Sequence, residues 1–168
     1  MATPLRKQTS KEYLNSLSIL HLALMAGQLM FAGVTYFLHQ SEGFEPPASE
    51  LSPILKVLVP IFVSSAIVGS YFLFNFKVNA SREKKALLDK LVDYRIALVL
   101  KLAVLEGASL FSTMSYLLTK DLLFLAMTAL VVLVFVLQRP TLGNIVEALR
   151  LIPQEKQTLE KPDAVVIE

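Results

Sequence analysis

The chain has 168 residues, 54% hydrophobic and 18% charged, and a mean hydropathy of +0.57, which is too apolar for an ordinary soluble domain. A net charge of +2 gives no reason to expect nucleic acid as a partner, and the absence of cysteine excludes disulfides, thiolate catalysis, iron–sulfur ligation and cysteine-based zinc sites. His21 and His39 lie at opposite ends of the first hydrophobic segment, roughly 27 Å apart at helical rise, so one chain does not join them in a metal site, and no metal or cofactor is expected.

Arg6, Lys7 and Lys11 precede an apolar run over residues 16–38. A cleavable signal core has about 7–15 residues, whereas this run is long enough for a bilayer core of about 30 Å. No small-x-small cleavage site closes it, so a retained first span is expected. Further spans are expected over residues 54–76, 96–118 and 122–137, the last being short and little tilted. In lipid each must be helical, because an open strand leaves backbone groups unsatisfied, and this overrides the strand-like valines of residues 130–136. The expected fold class is therefore all-α: a four-helix transmembrane bundle forming one membrane domain over residues 1–153.

Loop charge sets the expected orientation. Residues 39–53 carry Glu42, Glu45 and Glu50 and no lysine or arginine, whereas residues 77–95 carry Lys77, Arg82, Lys84, Lys85, Lys90 and Arg95. The positive-inside rule places both termini and the middle loop in the cytoplasm of a cell (inner) membrane protein. Ser81 is a candidate N-cap for an amphipathic helix over residues 81–94, whose Leu87, Leu88, Leu91 and Val92 form one stripe. Such a helix either lies on anionic lipid headgroups or extends the third span inward. After the fourth span, Arg139-Pro140-Thr141 breaks the chain and an amphipathic segment follows over residues 141–152, stopped by Pro153. Residues 154–168 read as a flexible cytoplasmic tail, in which the terminal Ala164-Val165-Val166-Ile167-Glu168 is either a docking peptide or, as expected here, a frayed end.

The first and third spans match without gaps eighty positions apart, pairing Leu22 with Leu102, Ala23 with Ala103, Gly27 with Gly107, Phe31 with Phe111 and Tyr36 with Tyr116. Two helical hairpins sharing an ancestor, or chance similarity of apolar helices, both fit these matches. The Ala-xxx-Gly pairs Ala23/Gly27 and Ala103/Gly107 allow close backbone approach, so these faces are expected to carry the contact between the first and third helices.

Glu106 is the most informative side chain. It lies roughly 15 Å into the third span, near the middle of a core about 30 Å thick, where a charge must be neutralised, paired or hydrated. Ser109, Thr113 and Tyr116 follow on the same face, and Gln28, Ser64 and Ser65 are the expected partners from other helices. Two readings stay open: a proton- or ion-binding carboxylate, or a protonated structural acid bonded to Gln28 or a serine. Lys101, near the inner end of the span, is about 140° around the helix from Glu106 and is expected to snorkel to headgroups. With His21 at the matching place, it is also a candidate for lining a cytoplasmic vestibule.

The two-hairpin layout with a buried glutamate resembles the duplicated proteolipid subunits of rotary ATPases in architecture only. Here glycine is sparse and Glu106 sits on the first, not the second, helix of its hairpin. The chain is more similar to small four-span bacterial membrane proteins without assigned activity, through Leu105-Glu106-Gly107 and Arg139-Pro140-Thr141. That resemblance implies a membrane bundle and carries no activity. No phosphate loop, nucleophile elbow or metal-ligand spacing is present, so no catalytic residue is assigned. The expected function is a non-enzymatic accessory or assembly subunit that self-associates or joins other membrane subunits. The alternative is a small oligomeric transporter or channel using Glu106 as its proton or ion site.

Overall fold

A computed structural model describes residues 7–42 and 44–167; Arg6, before the first span, and Glu168, at the end of the tail, lie outside them. The described residues are 81% helical, in six α-helices and a 3-10 turn, with one short pair of strands. In chain order these are β1 (Gln8–Thr9), α1 (Ser10–Gln40), a short 3-10 turn (Ser49–Leu51), α2 (Ser52–Arg82), α3 (Leu87–Thr119), α4 (Leu122–Leu137), α5 (Leu142–Leu149), α6 (Pro153–Glu160) and β2 (Val165–Ile167). Among the described residues three helices are long and apolar enough to cross a membrane, or four spans if α4 and α5 count as one broken span. With 31, 31 and 33 residues, α1, α2 and α3 extend about 46–50 Å at 1.5 Å per residue, well beyond a hydrocarbon core of about 30 Å.

The chain divides into two compact units. The first gathers residues 7–21, 73–100 and 139–167, and the second residues 22–72 and 101–138. The first unit has an apolar core of Tyr13, Leu17, Leu91, Ile145, Leu149 and Leu159, all at most 1% exposed. The Tyr13 hydroxyl, too deep to reach water, donates to the Leu91 carbonyl at 2.7 Å. Phe74 packs edge-on against Tyr94.

Helix α1 starts on a capping box: Thr9 N–H donates to Glu12 Oε2 at 3.0 Å, and Glu12 N–H donates to Thr9 Oγ1 at 3.3 Å. The chain's end supplies the rest of this cap. Ser10 N–H donates to the Ala164 carbonyl at 2.9 Å, Lys11 N–H to that of Pro162 at 3.1 Å, and the Ser10 hydroxyl to that of Leu159. Alongside, β1 and β2 pair antiparallel, with Gln8 opposite Ile167.

Two expectations are corrected by this unit. Ser81 does not start a helix: it sits in the last turn of α2, where its hydroxyl donates to Asp93 Oδ2 at 2.9 Å. Helix α2 continues to Arg82 because buried Val78 and Ser81 still face the core. The break falls between α2 and α3, where Lys84 pairs with Asp93 at 2.7 Å, and Leu87 to Val92 form the N-terminal turns of the third helix. Nor is the segment after residue 153 a mobile tail. Arg150, in the left-handed conformation, ends α5, and Pro153 occupies the first turn of α6, where its missing N–H is harmless. Leu159, Val166 and Ile167 are buried, which is what orders the segment.

Glu155 anchors α6 twice. Its Oε2 accepts from Ile152 N–H at 3.1 Å, and both carboxylate oxygens accept from Lys90 Nζ, at 2.8 and 3.0 Å, with the two side chains only 11% and 8% exposed. Removing one partner of such a pair leaves a desolvated charge behind, so Glu155→Ala or Lys90→Ala is expected to destabilise the first unit by about 3 kcal/mol. Limited trypsinolysis reads this directly: cleavage after Lys156 should accelerate in either variant and remain slow in Lys84→Ala, whose pair is more exposed.

Candidate functional site

In the second unit the usual amphipathic order is inverted along α1. The residues it buries there are Gln28, Thr35 and His39, while Leu29, Met30, Val34 and Phe37 are exposed. Helix α3 faces inward with Ser109, Ser112, Thr113 and Ser115 together with Leu102, Leu105 and Tyr116. Polar side chains inside and apolar ones outside is the arrangement that a lipid solvent favours.

Most of the buried hydroxyls are committed to helix carbonyls. Thr113 Oγ1 donates to the Ser109 carbonyl at 2.9 Å, Ser115 to that of Phe111 at 2.9 Å, Thr119 to that of Ser115 at 2.7 Å, and Ser112 crosses to the Phe124 carbonyl of α4 at 2.7 Å. Thr113 and Thr128 also lie 3.0 Å apart, oxygen to oxygen, across the α3–α4 contact. These bonds hold two helices together and leave the hydroxyls little capacity for chemistry.

Two polar clasps join helix ends, and sequence reasoning missed both. His39 Nε2 lies 3.0 Å from the Tyr116 carbonyl, which also accepts from Lys120 N–H at 2.8 Å. A carbonyl only accepts, so Nε2 carries the proton. The imidazole is buried between Phe44 and Tyr116, whose rings stand edge-on at 5.0 and 4.9 Å. The second clasp is Asp121. Its Oδ1 caps α4 by accepting from Leu123 N–H at 3.1 Å, and its Oδ2 accepts from Ser52 Oγ at 3.1 Å and from Lys56 Nζ at 2.8 Å. The Lys56 ammonium, chiefly, holds this carboxyl below the usual carboxylate range, and the Leu123 amide and Ser52 hydroxyl act in the same direction. An aspartate directly before an apolar run is an N-cap signal that the sequence offered; its partners on α2, 69 and 65 positions back, were not readable.

The sequence-predicted residues separate into three groups. Glu106 is half-buried and makes no hydrogen bond or ion pair among the described residues, while Ser109, Thr113, Tyr116 and Gln28 are fully buried. Ser64 and Ser65 are exposed, because α2 buries the stripe of Val59, Val63, Ala66 and Ser70 and turns both serines away from it. They are not partners of Glu106. Nor is Gln28 bonded to it: both of its amide atoms are buried without a hydrogen-bond partner among the described residues, as is Ser109 Oγ.

The Ala-xxx-Gly faces are likewise corrected. Ala23, Gly27, Ala103 and Gly107 are all exposed, and a Cβ built on either glycine meets nothing within 4 Å. The inward positions of α1 and α3 are taken by the polar residues instead, so the small residues do not carry the contact between these helices. Lys101 is buried rather than extended towards headgroups, with Nζ 4.1 Å from the Tyr71 ring centroid, a cation–π contact. His21, also buried, belongs to the first unit and Lys101 to the second. Among the described residues no group of three His, Asp or Glu side chains is placed to hold a metal ion.

Comparison with protein-family models, with curated proteins and with solved structures finds no match to the chain.

The Asp121 clasp yields a pH prediction. Its folded-state pKa is depressed below the ordinary 3.8, so the stabilisation is present above that value and is lost as pH falls through the depressed one. Asp121→Ala is expected to cost about 1–2 kcal/mol at pH 7, mostly from the lost cap because Lys56 is half-exposed, and Asp121→Asn less. Thermal melts at pH 7 and pH 3 should differ more for the natural chain than for Asp121→Asn, as far as this clasp contributes.

Proposed function

We propose that this chain is a four-span integral membrane protein, with both ends and the α2–α3 loop in the cytoplasm, acting as a non-enzymatic accessory or assembly subunit. One observation carries the reading. On the outer surface of the second unit, at the depth where lipid tails would lie, the chain places Ala23, Gly27, Ser64, Ser65, Ala103 and Gly107, with open space in front of both glycines. Acyl chains gain nothing from such residues. Another transmembrane helix does, because small side chains admit close backbone packing and hydroxyls bond across a helix pair. The internal hydroxyls, already bonded to helix carbonyls, support a rigid body better than a moving one.

The alternative reading, a small oligomeric transporter or channel, draws its support from Glu106, Gln28 and Ser109, whose hydrogen-bonding capacity is unused within the chain. It requires pH-dependent flux in reconstituted vesicles that Glu106→Gln abolishes without loss of folding.

Photo-crosslinking separates the two readings from a lone bundle in lipid. A benzophenone side chain in place of exposed Met30 or Leu110, three residues beyond each glycine, should yield protein adducts in native membranes; adducts to lipid alone would remove the support for an assembly subunit. Gly27→Leu and Gly107→Leu should leave the isolated protomer's thermal stability unchanged or raise it by up to about 1 kcal/mol per site, since leucine is the better helix former, yet abolish those adducts when introduced on the same face. The orientation has its own check. Single-cysteine reporters at Ser41, beyond α1, and at exposed Lys85, between α2 and α3, should label from opposite sides of sealed vesicles.

A further inference from the structure

Among the described residues of the second unit, the buried side-chain atoms without a hydrogen-bond partner are His39 Nδ1, both amide atoms of Gln138, and Gln28 Oε1, Gln28 Nε2 and Ser109 Oγ; Gln28 and Ser109, 1% and 0% exposed, lie on α1 and α3. An unsatisfied buried amide or hydroxyl costs about 1–3 kcal/mol, so such groups in folded proteins are met by another polar group or by bound water.

Helix geometry brings the two side chains together. The C-terminal ends of α1 and α3 meet where His39 Nε2 reaches the Tyr116 carbonyl, and both helices run back from that point into the same unit. Gln28 is eleven residues before His39, three full turns plus about 20°, so it points to the side of α1 that faces α3. Ser109 is seven residues before Tyr116, two turns less about 20°, so it faces α1 in the same way. Along the axes they lie about 16 Å and about 10 Å from the His39–Tyr116 contact, within roughly one turn of each other. Glu106, one turn before Ser109 on α3, is at the same level, and residues three apart are neighbours on a helix surface.

We propose that Gln28 and Ser109 hold a bound water between α1 and α3, and that this water is the interior hydrogen-bond partner of the Glu106 carboxyl. The chemistry of the donors selects water. A metal cation would take the oxygens alone and leave both protons of Nε2 without an acceptor, whereas water accepts from the amide and donates to Oε1, Ser109 Oγ or a carboxylate oxygen. The proposal goes beyond the accessory-subunit reading and does not depend on it, since a hydrated carboxyl serves a static bundle as well as a conducting one.

Radiolytic hydroxyl labelling of the full chain in nanodiscs, with oxygen-18 water, tests it, because water bound inside a protein oxidises the side chains it touches. Leu102 and Leu105 are fully buried on the turns beside the site, and Leu17 is equally buried in the first unit. The expected result is labelling of Leu102 or Leu105 at least about tenfold faster than Leu17, reduced severalfold by Ser109→Ala and by Gln28→Leu. Labelling no faster than at Leu17 would overturn the proposal in favour of a dry amide, and fast labelling indifferent to both substitutions would overturn it in favour of open solvent. Ser109→Ala removes one atom, so the test survives if Gln28→Leu fails to fold. In the natural chain the infrared band of the Glu106 carboxyl group, identified by its loss in Glu106→Gln, should shift in Ser109→Ala; an unmoved band would break the link to the carboxyl.

Discussion

A polar group that leaves water must find its partner inside the protein, and the second unit is organised by that demand. Helix α1 turns Gln28, Thr35 and His39 inward and its large apolar side chains outward. Helix α3 answers with hydroxyls that bond back to its own turns or across to α4. Helix ends are the harder case, because their last carbonyls and first amides have no partner within the helix. His39 takes up a carbonyl at the end of α3, Ala48 N–H takes up that of Leu118, and Asp121 caps α4 while receiving Ser52 and Lys56 from the start of α2. The clasps thus tie α1 to α3 and α2 to α4 through groups that would be unsatisfied if the helices separated.

The first unit follows the opposite rule and resembles the interior of a soluble domain: Tyr13, Leu17, Leu91, Ile145 and Leu149 inside, with the polar tip of Tyr13 given a carbonyl. The basic loop residues point the same way. Arg82 Nε donates to the Ala148 carbonyl at 2.8 Å and Lys84 pairs with Asp93, so part of the charge that identifies this loop also fastens it. The Lys84 ammonium is held above its ordinary pKa chiefly by that Asp93 hydrogen bond.

The apolar runs were legible because lipid imposes a length, and α4 agrees with its expected bounds to the residue. The helices outgrew the other expected spans because hydropathy marks where lipid ends, not where a helix ends; α2 and α3 continue on buried positions such as Val78 and Leu91 that a loop-like charge pattern hides. Thr9-x-x-Glu12 and Asp121 before Leu122 were local cap signals, open to reading. The tail was not, since Gln154, Glu155 and Lys156 are polar and the partner that holds Glu155, Lys90, lies 65 positions away. At the candidate site, depth was readable and direction was not. Counting residues places Glu106, Gln28, Ser64 and Ser65 at similar levels, but only packing decides that Gln28 points in and both serines point out. The Ala-xxx-Gly rule failed for the same reason: it identifies a surface fit for close approach without saying which helix approaches it.

The cap on α1 has a bearing on how the protein is made. Helix α1 is made before the other described helices, yet three hydrogen bonds at its first turn are accepted by the carbonyls of Leu159, Pro162 and Ala164, and its flanking strand pairs with Val165 and Ile167. During synthesis, then, α1 waits with an open first turn until residues 159–167 have been made, and the pairing at Gln8 closes only after α2 to α6 have been translated. A chain that stalls before residues 159–167, or loses them to a protease, carries that open turn as a mark distinguishing it from one that has them.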